Sequence, residues 1–472
     1  MKIYISDKSF SYDMHSLTKA FFPNDDVEVC DADESLHKSD MSFYYKAVTA
    51  DGNETETVVQ QHDEERPAFK NRIKREVYIK LSKLLNKELP WGTLTGIRPT
   101  KLPMAMLNDG KSDDEIAKYL SSEYLVSDEK IKLSLAIAKK EREIINSLHS
   151  TDGISLYIGI PFCPSTCMYC SFTSYPIAKW RDRVDEYLDC LKKEIDYVRD
   201  ELGDKVIDTV YIGGGTPTTL QPYQIDTLIG YLREQLDLSF CKEFTVEAGR
   251  PDSITEDKLE ALKRNGVTRI SVNPQTMNAD TLKLIGRAHT VEQFRDAFTI
   301  ARKYFDNINT DFILGLPGED DEKVKYTFDE IKKLSPDSVT VHSMAIKRAA
   351  HMDEYLKGHP EIKSEITDNM MSLQYKCADA LGMEPYYLYR QKNMTGNYEN
   401  TGYSTAGKEG IYNILIMEEV QTIIACGAGT VTKRVYGDGR IERCDNVKDV
   451  GLYIKKIDEM IERKRTLFSD EN

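Results

Sequence analysis

The feature that most constrains the fold is an alternation of short β-like runs with amphipathic helical stretches between about 153 and 352. The β-like runs are 155–160, 207–212, 243–248, 269–272, 309–314 and 338–342, and most are rich in Val, Ile or Tyr. Helical periodicity fills the intervals, as at 183–201 and 224–235. Repetition of this kind builds parallel sheet through right-handed crossovers. Six such units predict an α/β fold, read as a partial (β/α)6 TIM-like barrel with a doubly wound sheet as the alternative. In either architecture active residues belong at the C-terminal ends of the strands.

Two regions flank this repeat, which is taken as domain 151–352 of a 472-residue chain. Residues 1–150 read as an N-terminal α/β domain of unassigned role. It has β-like stretches at 2–5 and 42–48, a polar acidic loop at 51–65, and helices at 71–85, 112–123 and 127–147. Ser112 and Ser127 stand where helix N-caps stand. Residues 353–472 read as a mainly helical C-terminal cap with helices at 366–381 and 447–464. Between them 385–403 reads as a loop rich in Tyr, Asn and Gln, followed by a Gly-containing segment at 425–431.

Composition narrows the function. Lys and Arg number 63 and Asp and Glu 78, so the net charge is 63 − 78 = −15. That balance argues against a general nucleic-acid binder, whose affinity rests on neutralising phosphates. No apolar run is long enough for a membrane span. Asp7 and Lys8 interrupt the N-terminus before any apolar core of a secretory signal, so the expected location is cytoplasmic. Nine cysteines are too few for a disulfide scaffold. Six of them, Cys30, Cys190, Cys241, Cys377, Cys426 and Cys444, are scattered and read as small buried hydrophobes.

The other three form the strongest chemical signal, Cys163-Pro-Ser-Thr-Cys167-Met-Tyr-Cys170, in the loop that leaves the first strand of the repeat. Three thiolates at this spacing can hold three irons of a cubane [4Fe–4S] cluster and leave the fourth open. Zinc is the alternative, but structural zinc takes four protein ligands and no partner motif supplies the rest. The second strand ends in Gly213-Gly214-Gly215-Thr216-Pro217-Thr218, where the backbone can approach a ligand closely. The third ends in Glu247, readable as a ligand contact or as a salt-bridged surface carboxylate.

The cysteine spacing, with Tyr169 before the last cysteine, resembles the radical S-adenosylmethionine superfamily. Tyr157-Ile-Gly-Ile-Pro-Phe-Cys163, the Gly213–Thr218 turn, Gln275 with Arg287 twelve residues on, and Asp311-Phe-Ile-Leu-Gly-Leu-Pro317 resemble the oxygen-independent coproporphyrinogen III oxidase family. Leu94-Thr-Gly-Ile-Arg-Pro-Thr-Lys101 and the run from Tyr386 to Tyr403 resemble its coproporphyrinogen dehydrogenase branch, called HemZ.

The resemblance implies a [4Fe–4S] cluster on Cys163, Cys167 and Cys170, whose open iron binds S-adenosylmethionine and yields a 5′-deoxyadenosyl radical. It implies that Tyr157, Gly214, Glu247 and Val431 hold that cofactor. A second S-adenosylmethionine would meet Tyr169, Gly215, Thr216, Gln275, Arg287, Asp311 and Ala345. Arg287 and Asp311 suit a zwitterion, or form a salt bridge between strands. The implied reaction is oxidative decarboxylation of coproporphyrinogen III to protoporphyrinogen IX, with a tetrapyrrole substrate and a low-potential electron donor such as flavodoxin or ferredoxin. Arg98, Lys101, Arg390 and Lys392 are candidates for the substrate carboxylates.

Two residues depart from the family pattern. Phe172 stands where the oxidase has a fourth cysteine, and Gly159 where it has a histidine. Besides a radical modification of RNA, which the net charge of −15 disfavours, two alternatives therefore stay open. One is another radical reaction on tetrapyrroles, such as anaerobic haem methylation with ring opening. The other is haem trafficking, although the His-Asn-x-x-Tyr-Trp motif of haem chaperones is missing.

Overall fold

The computed structural model describes all residues except 24, 34–41, 150–151, 173, 204, 346–350, 392–397 and 470–472. The N-terminal region holds a four-stranded sheet of β1 (Lys2–Ile5), β2 (Glu28–Asp31), β3 (Ser42–Val48) and β4 (Glu54–Gln60), ordered β2-β1-β3-β4. Its apolar face, with Ile3, Ile5, Phe43 and Tyr45, packs against Phe69, Ile73 and Val77 of the helix Arg66–Leu85. Strand β4 lies where the composition predicts a loop. Its outward residues, Glu54, Glu56, Val58 and Gln60, are exposed, and only Val59 is fully buried. A charged edge strand carries too little apolar alternation to be visible. Ser112 and Ser127 do cap the helices Asp113–Tyr124 and Asp128–Asn146, the first through a capping box with Glu115.

The predicted strands of the repeat form as expected. β5 (Gly153–Ile160) runs into a short parallel pair, β6 (Phe162–Cys163) and β7 (Tyr175–Pro176), that frames the cysteine loop. Then follow β8 (Val206–Gly214), β9 (Glu243–Glu247), β10 (Arg269–Ser271), β11 (Ile308–Leu314) and β12 (Ser338–Ser343). β5, β8, β9, β10, β11 and β12 lie side by side in chain order, each parallel to the next. Crossover helices such as Val184–Leu202 and Pro222–Gln235 join them. Leu188, Leu191, Ile195 and Val198 repeat at helical spacing along the first crossover and join Ile154, Leu156, Ile158 and Ile160 in the main core. Each such side chain contributes ~1.5–3 kcal/mol by leaving water.

The sheet does not close. It continues through the C-terminal region, which holds five strands besides helices: β13 (Glu384–Tyr389), β14 (Asn400–Ser404), β15 (Thr422–Cys426), β16 (Val431–Val435) and β17 (Ile441–Asp445). The order is β13-β14-β12-β11-β10-β9-β8-β5-β15-β16-β17. The C-terminal region thus adds five strands to its helices and extends both edges of the sheet. Within the stretch 385–403, residues 385–389 and 400–403 belong to the antiparallel pair β13–β14, in which Tyr386, Tyr387 and Leu388 are buried. Aromatic residues favour the pleated surface. A Cβ at Gly402 would fall 2.0 Å from the Tyr387 ring, so the absent side chain lets that ring cross the neighbouring strand. No helix among the described residues is long and apolar enough to cross a membrane.

Candidate active site

Parallel strands aim their C-terminal ends at one face, and a cavity of about 300 Å³ opens there. Its lining includes Cys163, Cys167, Cys170, Tyr157, Tyr169, Gly214, Gly215, Thr216, Glu247, Gln275, Arg287, Asp311 and Ala345. Every residue singled out for the cluster or cofactor is thus gathered except Val431. That side chain is outward on β16, while its neighbour Thr430 lines an adjoining cavity of about 210 Å³. Strand alternation puts Thr430 and Thr432 inside and Val431 outside.

The cysteine loop is pinned by backbone. Met168 N donates to Ile285 O at 3.0 Å and Cys170 N to Cys167 O at 3.1 Å. The Cys163 sulfur lies 3.4 Å from Thr216 Oγ1, and burial pushes its thiol up. None of the nine cysteines is in a disulfide. Beside the loop, Gly215 N donates to Ile160 O at 2.8 Å and Thr216 N to Phe162 O at 2.7 Å. Gly214 has φ 110°, and a Cβ at Gly215 would sit 2.6 Å from Phe162 O. Only glycines allow this turn to lie against β5.

Glu247 is reached by Tyr211, whose hydroxyl donates to Oε1 at 2.7 Å. The Tyr211 ring stacks on Tyr412 with centroids 4.5 Å apart and on Tyr157 at 6.0 Å. Burial pushes the Glu247 carboxyl up to about 7, Asp311 adds to the rise, and the Tyr211 bond opposes it. Burial would raise Asp311 too, yet its carboxyl is held below the usual range, chiefly by His342 and Asn309. Asn273 Nδ2 donates to Asp311 Oδ2 at 2.7 Å and Asn309 Nδ2 to Oδ1 at 2.6 Å.

Arg287 is buried and donates to the carbonyl oxygens of Gly249 and Asn273. Among the described residues it has no ion pair, so no salt bridge joins it to Asp311. Gln275 adopts φ 67°, costly for a side-chain-bearing residue, and its buried Oε1 has no partner among the described residues. A buried cation and an unpaired amide oxygen on one wall suit a polar, charged ligand.

Arg98 and Arg390 are not on this wall. Arg98 donates to Met417 O at 2.6 Å and pairs with Glu419 at 3.3 Å. Arg390 donates to Leu94 O while its backbone N donates to Ile97 O at 2.8 Å. Both tie the Leu94–Lys101 turn to the C-terminal region. Lys101 is exposed outside the cavity lining, and Lys392 lies outside the described residues.

The cavity also holds Tyr389, from the run beginning at Tyr386, and residues that the sequence patterns did not flag: Arg250, Asn273 and His342. Their signal was positional. Each stands at or just beyond the C-terminal end of a strand, where this architecture puts its chemistry.

The residues present fit an iron–sulfur cluster and S-adenosylmethionine. Three cysteines outside any disulfide, a glycine turn and both signs of buried charge share one wall. Among the described residues no three His, Cys, Asp or Glu side chains converge on a single-ion position. A single zinc ion needs such convergence. A cubane takes its thiolates on different irons and does not.

Comparison with known proteins agrees. Residues 157–331 match the Radical SAM superfamily. The chain is 42% identical over 380 residues to the oxygen-independent coproporphyrinogen-III oxidase-like protein HemZ of Bacillus subtilis, covering 79% of this chain and 76% of that one. It is 32% identical over 286 residues to the heme chaperone HemW of the same organism, covering 58% and 69%. The solved structure of coproporphyrinogen III oxidase (HemN) from Escherichia coli, described as a radical SAM enzyme, aligns with a TM-score of 0.51 at 20% identity, over 68% of this chain and 73% of that one. That likeness establishes the shared fold. The chain therefore belongs to the radical S-adenosylmethionine superfamily, within the coproporphyrinogen-III-oxidase-like family that includes HemZ.

Proposed function

We propose that this protein is a radical S-adenosylmethionine oxidoreductase that converts coproporphyrinogen III to protoporphyrinogen IX without oxygen, turning two propionates into vinyl groups. The observation that carries the proposal is the meeting of the cysteine loop, the glycine turn, Glu247, Arg287 and Asp311 in one cavity. When bound, the [4Fe–4S] cluster and S-adenosylmethionine supply a 5′-deoxyadenosyl radical.

The chain's own residues position and shield. Cys163, Cys167 and Cys170 hold three irons and leave one for the cofactor. The Gly214 backbone and Glu247 take its polar groups, with Tyr157 beside them. Tyr169, Gly215, Thr216, Gln275, Arg287, Asp311 and Ala345 hold a second S-adenosylmethionine. No general acid is needed for loss of carbon dioxide. The wall's task is to fix distances and exclude water and oxygen. A tetrapyrrole and a low-potential donor such as flavodoxin or ferredoxin are the partners, in the cytoplasm.

The likeness to heme chaperones, together with Phe172 in place of the oxidase's fourth cysteine, supports a second reading, haem trafficking. One experiment separates them. The cluster is reconstituted without oxygen, and dithionite, S-adenosylmethionine, coproporphyrinogen III and an artificial electron acceptor are added. Products are followed by mass spectrometry. Stepwise loss of two carbon dioxide units with 5′-deoxyadenosine establishes the decarboxylase. Deoxyadenosine with unchanged porphyrinogen moves the substrate to other tetrapyrroles, haem first. Stoichiometric haem binding without either product overturns the enzyme reading.

A further inference from the structure

Arg250 lies just beyond β9, three residues after Glu247, and is only 2% exposed. Its guanidinium is fixed on one edge by Asp252, with Nε to Oδ1 and Nη2 to Oδ2 both at 2.8 Å. Ser165 Oγ lies 3.2 Å from both Nη1 and Nη2, and Ser165 O lies 3.3 Å from Nη1. The Nη1 group also donates to the sulfur of Cys167 across 3.5 Å. Asp252 holds the Nε–Nη2 edge, so the remaining arm of the fork is aimed at a cysteine of the loop. Guanidinium is the side chain that can do both at once, because its donors are rigid and coplanar.

We propose that Arg250 is a positioning residue that sets the reduction potential of the cluster, acting through its hydrogen bond to Cys167. This rests on the reading of Cys163, Cys167 and Cys170 as cluster ligands. Reduction passes one electron from a low-potential donor to the cluster, and the donor is oxidised by one electron. No bond at Arg250 is made or broken, and its protons stay in place. The added negative charge spreads onto the sulfurs. An N–H donor and a positive charge at a ligand sulfur stabilise the reduced form and raise the potential. Burial keeps the effect from being screened. Asp252 acts with the opposite sign from the far side of the guanidinium. The two residues therefore predict shifts of opposite direction, which a purely structural role would not produce.

The test uses the full chain, reconstituted without oxygen, with iron and sulfide counted first. The midpoint is then read by EPR-monitored titration in the absence of S-adenosylmethionine. Arg250→Gln is expected to keep the iron and to weaken reduction at least tenfold, a midpoint about 59 mV more negative for one electron. Arg250→Lys keeps the charge and shifts less. Asp252→Asn leaves the cation uncompensated and shifts the midpoint the other way. Arg250→Gln with full iron and an unmoved midpoint overturns the proposal. Should Arg250→Gln fail to load iron, Asp252→Asn decides, and an unmoved or more negative midpoint there overturns it equally. A wild-type chain that takes up iron and sulfide yet shows the same midpoint as all three variants refutes Arg250 alone. A wild-type chain that takes up no iron–sulfur cluster refutes the cluster reading, and this proposal with it.

Discussion

Tyr211 gives its hydroxyl hydrogen to Oε1 of Glu247 across 2.7 Å, in a stack whose other rings are Tyr157 and Tyr412. Such a carboxyl is costly to ionise until something positive arrives. Burial raises it from 4.5 to about 7, with Asp311 adding and Tyr211 opposing. The folded value lies above the unfolded one, so the unfolded chain ionises first as pH rises. Stability therefore falls between about 4.5 and 7 and stays lowered above that window. Glu247→Gln is expected to raise stability at pH 8 by roughly 3 kcal/mol, with the gain fading toward pH 5. The same change should weaken S-adenosylmethionine binding at least tenfold. Thermal unfolding across pH and equilibrium dialysis check the two halves. A variant less stable than wild type at pH 8 contradicts the burial argument.

Arg287 gives the converse case, a buried cation that among the described residues is bonded only to carbonyl oxygens. Arg287→Met removes the charge at similar length. Two carbonyl oxygens then lose their donor, which costs about 1–3 kcal/mol. Binding should suffer more than folding. If Arg287 meets a carboxylate of a second S-adenosylmethionine, the variant binds one equivalent where the wild type binds two. Dialysis against labelled S-adenosylmethionine counts them, and two equivalents in the variant would end that assignment.

What the sequence made legible follows from where the physics is local. The strands β5 and β8 to β12 are short runs of Val, Ile and Tyr between amphipathic helices, so both periods could be read directly. The cysteine and glycine motifs are contiguous for the same reason. Strand β4 was hidden because its residues are mostly polar on an edge. The β13–β14 pair was hidden because its partner, β12, lies far away in the chain. Arg98 and Arg390 were candidates for substrate contact from their charge, and their bonds to Met417, Glu419 and Leu94 join parts of the chain too distant for any local pattern to show. Arg250 and His342 had no motif, and only the strand ends on which they stand could have pointed to them.

Glu399 links the two ends of the chain and gives a stability prediction. Its fully buried carboxylate accepts from Trp91 Nε1 at 2.8 Å, Lys130 Nζ at 2.6 Å and Tyr375 OH at 2.8 Å. Trp91 and Lys130 belong to the N-terminal region, Tyr375 to the helix Asp368–Ala380. Removing one partner of a buried pair leaves an uncompensated charge. Lys130→Met and Glu399→Leu should each cost about 3–5 kcal/mol. The double variant should cost less than their sum, because neither charge then remains. Denaturant unfolding of the four proteins gives the coupling, and strict additivity would mean that the pair does not interact.

The cysteines themselves separate cluster from zinc. Cys163→Ser, Cys167→Ser and Cys170→Ser should each lose most of the iron, which in the reconstituted wild type approaches roughly four per chain for a cubane. Cys241→Ser is the control. Its thiol donates to Glu243 O at 3.2 Å, burial pushes it up to about 12, and it stands outside the cavity lining. A thiol held protonated and turned to a carbonyl is no ligand. Iron and sulfide analysis beside the charge-transfer absorbance reads all four variants. A wild type that takes up one zinc and no sulfide, with all three loop variants losing that zinc, would assign the loop to a structural ion instead.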